Sequence, residues 1–243
     1  MNNTNNLSAR ASYDKAKQIL YNAWIDSFSA VPGAPQQSEV AACWNWVNNR
    51  KLSQGEIRLE VELNTTNNQF TFGVTPNQVN SSNVQFITEN RLNLQDSLIV
   101  NEYGLYVCKP ASRTDTGFLL RTYGNTLDFT APSALALDGT LYSNGSLQIK
   151  CNNDVVVPFR MLFNHWYKPQ TQQTAALGAA SPGDQIRGAE DGAITDEPNI
   201  LLIGSKNYVP IINLVSNLAS VDAFTRAVLI FRGINAQNST VIN

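Results

Sequence analysis

The hydrophobic period changes once along this chain, near residue 55, and that change limits the possible folds more than any other feature. Ahead of it, Tyr13, Ala16, Leu20, Trp24 and Phe28 recur at spacings of three and four, the signature of one stripe on a helix. Pro32-Gly33 should end that helix. Val40, Cys43, Trp44 and Val47 repeat the spacing, and Arg50-Lys51 suit a last turn, where cations lie beside exposed carbonyls. From Gly55 onward Ile57, Leu59, Val61 and Leu63 alternate with Arg58, Glu60 and Glu62, and Phe70, Phe72 and Val74 continue the alternation. The reading is a helical arm over residues 1–54 and a β-body over 55–243, its first strand having one wet face.

Further strands are expected at 84–87, 98–108, 118–122, 135–142, 146–151, 155–157, 159–167, 200–203, 208–214 and 227–232. Asn144-Gly145 favours the positive φ angles of a type I′ turn, which would fold 146–151 back on 135–142. Asn152-Asn153-Asp154 then turns the chain again. Leu218, Val221 and Phe224 suggest a short helix, and the segment from Lys168 to about Glu197 reads as a long loop. A dozen or so short strands with polar turns and helices at one end predict a mainly β sandwich or barrel.

Composition narrows the function. Charged residues make up 15% of the chain against roughly 25% in ordinary domains, and Asn, Gln, Ser and Thr take their place. The net charge is -2 and the Lys and Arg residues are scattered singly, so no specific nucleic-acid binding by the folded body is expected. Interfaces avoid Lys and Glu because desolvating a charge is costly, and this balance suits a subunit surrounded by copies of itself, most simply a trimer. No apolar signal core or membrane-length apolar run is seen, so folding in the cytosol is expected.

Catalytic chemistry finds little purchase. His165 is the single histidine, no G-x-S-x-G elbow presents a serine beside it, and a packed strand position is its plainer role. Gly204-Ser205-Lys206 lacks the first glycine and the GK pair of a phosphate loop. Cys43, Cys108 and Cys151 form no CxxC pair and read as buried free thiols. Asp184, Glu190, Asp191, Asp196 and Glu197 could offer calcium oxygen ligands, but their spacing is not that of an EF-hand and a solvated loop explains them. Trp24, Trp44, Trp46 and Trp166 could stack on sugars, although packing accounts for those on the helical stripes. Thus no catalytic residue, cofactor or metal ligand is assigned. The residues singled out are Leu20, Trp24, Phe28, Val40 and Trp44, apolar stripes that must be buried against something. A neighbouring subunit or an inner layer is the expected cover, leaving the β-body able to fold alone.

Three stretches carry a family likeness: 141–150 (LYSNGSLQIK) with 155–159 (VVVPF), 197–207 (EPNILLIGSKN) and 227–240 (AVLIFRGINAQNST). Together they resemble the jelly-roll capsid proteins of small tailless icosahedral bacteriophages, whose shells are built from trimers of double jelly-roll subunits. The resemblance implies a non-enzymatic virion protein made in the host cytoplasm, with other virion proteins as partners and any inner membrane layer lying beneath the shell. It also implies two rolls, about 55–132 and 133–243. Two complete rolls need about sixteen strands, more than the sequence offers, so a single elaborated roll is the alternative. A carbohydrate- or receptor-binding jelly-roll module, spike-like or lectin-like, is the rival function.

Overall fold

Eight antiparallel strands in two four-stranded sheets make up the body of this computed structural model, which describes residues 4–29, 33, 35–72, 92–112, 115, 118–152, 154–166 and 193–240. In chain order the elements are α1 (Thr4–Trp24), α2 (Gln37–Asn48), β1 (Lys51–Glu62), β2 (Gln69–Thr71), β3 (Ser97–Cys108), α3 (Ala131–Ala136), β4 (Gly145–Cys151), β5 (Asp154–Met161), β6 (Ala193–Ile203), β7 (Tyr208–Leu214) and β8 (Arg226–Gln237). The first sheet runs β1-β8-β3-β6 and the second β2-β7-β4-β5. Four of the pairings join first to last: β1 with β8, β2 with β7, β3 with β6 and β4 with β5. The chain is thus one long antiparallel ribbon whose tip is the tight turn at Asn152, and lateral pairing of β3 with β8 and β4 with β7 rolls it up. Asn152 has φ +55°, a left-handed conformation that asparagine tolerates and the expected turn requires.

Between the sheets lies the main core. Ile57 and Leu59 from β1, Ala227, Leu229 and Phe231 from β8, and Leu147, Ile149, Ile212 and Leu214 from the second sheet all bury here. The alternation that predicted β1 is therefore the alternation between this core and the opposite face. In β3 the inward set changes parity, from Leu98 and Val100 to Tyr103, Leu105 and Val107, because a bulge at Asn101 shifts the register. Asn199 supports the bulge, its side-chain amide donating to the Val100 carbonyl at 2.9 Å and to Asn101 Oδ1 at 3.1 Å. Gly233 is needed beside it, since a Cβ there would collide with the Ile99 carbonyl.

The first sheet is covered on its outer face as well. At one end α1 and α2 seat Ala16, Leu20, Cys43 and Val47 on Ile99, Ile234 and Ala236. At the other, Phe118 and Leu120 cover Tyr106, Cys108, Val228 and Ile230. The expectation of a wet face for β1 is corrected here: Glu60 is buried, its carboxylate taking Arg226 at 2.9 Å and Arg58 at 2.8 Å. The Phe118 ring lies over both guanidiniums, at 5.1 Å from Arg58 and 5.6 Å from Arg226. Charges buried like this persist only when paired, which is what the three side chains achieve.

Several sequence expectations are revised. Residues 135–142 are helical, with α3 continuing into a wider π-helical stretch, Leu137–Tyr142, so Asn144-Gly145 ends a helix instead of turning a hairpin. Pro132 at the start of α3 and the buried Ala134, Leu137 and Leu141, spaced by three and four, explain why. His165 sits in a short 3-10 turn, Leu162–His165, after β5 has ended at Met161. Residues 118–122 make a single bridge, Val107 with Arg121, and not a strand. The stretch 218–224 forms no helix, and β6 begins at Ala193, inside the expected loop. The candidate strand 84–87 lies outside the described residues. Eight described strands fall well short of the sixteen of a double roll.

Asp222 ties three parts of the body together. Its carboxylate accepts hydrogen bonds from the Thr130 amide at 2.8 Å, the Thr130 hydroxyl at 2.6 Å and Lys109 Nζ at 2.9 Å. Burial works against its ionisation, but the Thr130 and Lys109 contacts outweigh it and hold the carboxyl below its ordinary value of 3.8. A depressed folded-state pKa contributes stability that is present above the unfolded value and lost as pH falls through the folded one. Asp222→Asn is expected to cost about 1.5–3 kcal/mol at pH 7, and its urea midpoint should converge on that of the unaltered protein once the pH falls below the depressed pKa.

Candidate functional site

Of the five residues expected to meet a neighbouring subunit, Leu20 is wholly buried by its own chain, packed with Cys43, Val47, Ile99 and Ile234. It is a core residue of the subunit and offers no surface to a partner. Trp24, Phe28 and Trp44 are half-buried around the same cluster, with Trp44 stacked on Tyr21 at 4.5 Å and Phe28 tilted against Trp46 at 5.8 Å. Val40 is half-buried on α2. Arg50 closes the arm: its Nε donates to the Trp46 carbonyl at 3.1 Å and its Nη1 to the Asn238 carbonyl at 2.6 Å, fastening the end of α2 to the chain just after β8. The cation expected beside the last turn of α2 is therefore there, and it also anchors the arm to the body.

The second sheet differs in its outward surface. Its edge strand β5 and the turn that follows expose Val155 (48%), Phe159 (66%), Met161 (46%) and Phe163 (53%), with Val156 beside them. Phe163 stacks on Trp166 with ring centroids 5.9 Å apart, and among the described residues no element covers the others. Together they leave on the order of 400 Å² of apolar surface, about the size of the largest apolar patch on an ordinary subunit and often a functional one. Sequence reasoning placed 155–167 in strands without singling out this stripe, because the strand pattern does not tell which apolar side faces out.

A polar groove of about 880 Å³ lies on the outer face of the first sheet, between α1 and the strands. Three register neighbours, Glu56, Arg232 and Glu102, form a row across its floor, with Arg232 Nε 2.9 Å from Glu56 and Nη1 3.6 Å from Glu102. Tyr13, the aromatic in its lining, is half-buried and also packs against the arm's cluster.

His165 is buried with its ring 4.9 Å from that of Tyr103, a packing role. Cys43, Cys108 and Cys151 are free and buried, and burial pushes the Cys108 thiol up to about 12, far from a nucleophile's range. Among the described residues no three His, Cys, Asp or Glu side chains are grouped to hold a metal ion, and no helix is long and apolar enough to cross a membrane. The calcium candidates Asp184, Glu190 and Asp191 lie outside the described residues, while Asp196 and Glu197 fall within β6. Comparison with family models, curated proteins and solved structures finds no match for this chain.

With the arm seated on its own body, removing it exposes Ile99, Ile234 and Ala236 and reverses the expectation that the body folds alone. Leu20→Ala, a gentler probe, is expected to cost about 2–5 kcal/mol in urea unfolding. An unchanged midpoint would show that the arm is not seated as described.

Proposed function

We propose that this chain is a virion structural protein, a capsid subunit whose body is a single jelly roll and whose work is self-assembly into a closed shell. The observation that carries this reading is the first-to-last pairing of eight strands in two four-stranded sheets, the arrangement expected when one antiparallel ribbon is rolled into a double-sheet jelly roll. Fold alone does not give function, so three further features matter. The charge-poor composition suits wide water-excluding contacts, the chain's own arm closes one sheet, and the other sheet keeps an uncovered apolar stripe. The single histidine and the cysteines serve packing.

On this reading the partners are further copies of the chain, in trimers, together with other virion proteins, and any lipid layer lies inside the shell. Assembly would follow synthesis in the host cytoplasm. Of the two rolls considered from the sequence, the single roll accounts for the described strands. The carbohydrate-binding alternative draws on the Glu56-Arg232-Glu102 groove, whose lining offers the single half-buried aromatic Tyr13.

Light scattering coupled to size exclusion, followed by electron microscopy of the eluted material, tests the proposal. Discrete multi-subunit species at micromolar concentration and physiological salt are expected. A strictly monomeric chain under those conditions would refute it.

A further inference from the structure

We infer that β5 is a two-fold docking edge, where a second copy of this chain pairs antiparallel with the first about an axis near Val157. This inference deepens the shell reading by naming one of the surfaces through which copies meet. Among the described strands β5 is the outermost of its sheet, bonded to β4 on one side only. Such an edge invites pairing with another chain, and a two-fold contact must be self-complementary.

The order of residues along β5 meets that condition. With Val157 on the axis, Asp154 faces Arg160 of the other copy at each end of the contact, and Val155 faces Phe159. Opposite charges and an aromatic against a β-branched residue are both favourable cross-strand neighbours. Pro158, which has no N–H, falls in the β-bulge where the register with β4 shifts between Leu147 and Ile149. It interrupts the ladder at the centre of the contact and keeps the edge from adding strand after strand. The exposed apolar stripe supplies the middle of the interface and the two charged pairs its rim, so a patch of this size becomes the apolar centre of a contact of about 800 Å² per partner.

Charge exchange gives the test. Asp154→Arg sets two guanidiniums against each other across the axis and Arg160→Asp sets two carboxylates, whereas the double variant restores opposite charges at both ends. Sedimentation velocity over the micromolar range should show self-association of the unaltered protein, weakened roughly tenfold by either single change and returned to within about threefold by the pair. Thermal melting of each variant checks that the body still folds, and Asp154→Arg, at an exposed position, should melt with the unaltered protein. Single variants that associate normally, or a double variant as weak as the singles, would overturn the docking edge. In that event, shells still visible by electron microscopy would leave the capsid reading standing, while a chain that never associates would remove both.

Discussion

Strand β8 is the constraint on which the rest of the structure depends. It pairs over its whole length with β1 and along most of that length with β3, and both of its faces are buried. Its inward residues Ala227, Leu229 and Phe231 hold the two sheets together, while its outward Val228, Ile230, Ile234 and Ala236 receive the arm and the 118–120 segment. A strand apolar on both sides can sit only in the middle of a layered structure. The last part of the chain is thus the centre of the first sheet, and the ribbon cannot close until the final strand is in place.

That arrangement divides the molecule into a finished side and an unfinished one. The first sheet is covered at both ends, with the Arg58-Glu60-Arg226 cluster sealed beneath Phe118 and the arm held by Arg50. The second sheet is linked inward by Tyr208, whose hydroxyl accepts from the Ile203 amide and donates to the Leu201 carbonyl, yet among the described residues its outer edge stays apolar and open. For the proposed self-assembly such asymmetry serves better than arm exchange, because each subunit could fold completely before meeting another. Leu20, from the stripes expected to meet a neighbour, completes the core of the subunit itself, and Trp24, Phe28, Val40 and Trp44 remain half-buried around it.

How much of this could be read from the residues follows from what each pattern encodes. The period-two run around Ile57 located β1 because it alternates against one core, and the unbroken apolar run 227–231 located β8, which is buried on both faces. The helical stripe around Leu20 told that something must cover it but not what, since burial against the body and burial against a partner leave the same spacing. Residues 135–142 read as a strand although they are helical, because their apolar residues fit both patterns and the following Asn-Gly favours a hairpin. The burial of Glu60 and the exposure of Phe159 were illegible for a common reason: each depends on whether a segment distant in sequence folds over that face.

Hydrogen exchange followed by mass spectrometry, run on dilute and concentrated protein, reads this division most directly. Slowest exchange is expected in β8 and β3 at every concentration, with protection of β5 rising as concentration increases and that of α1 and α2 unchanged. Arm protection that rises with concentration while β5 stays open would contradict the account, since the arm rather than the bare sheet would then be what binds another copy.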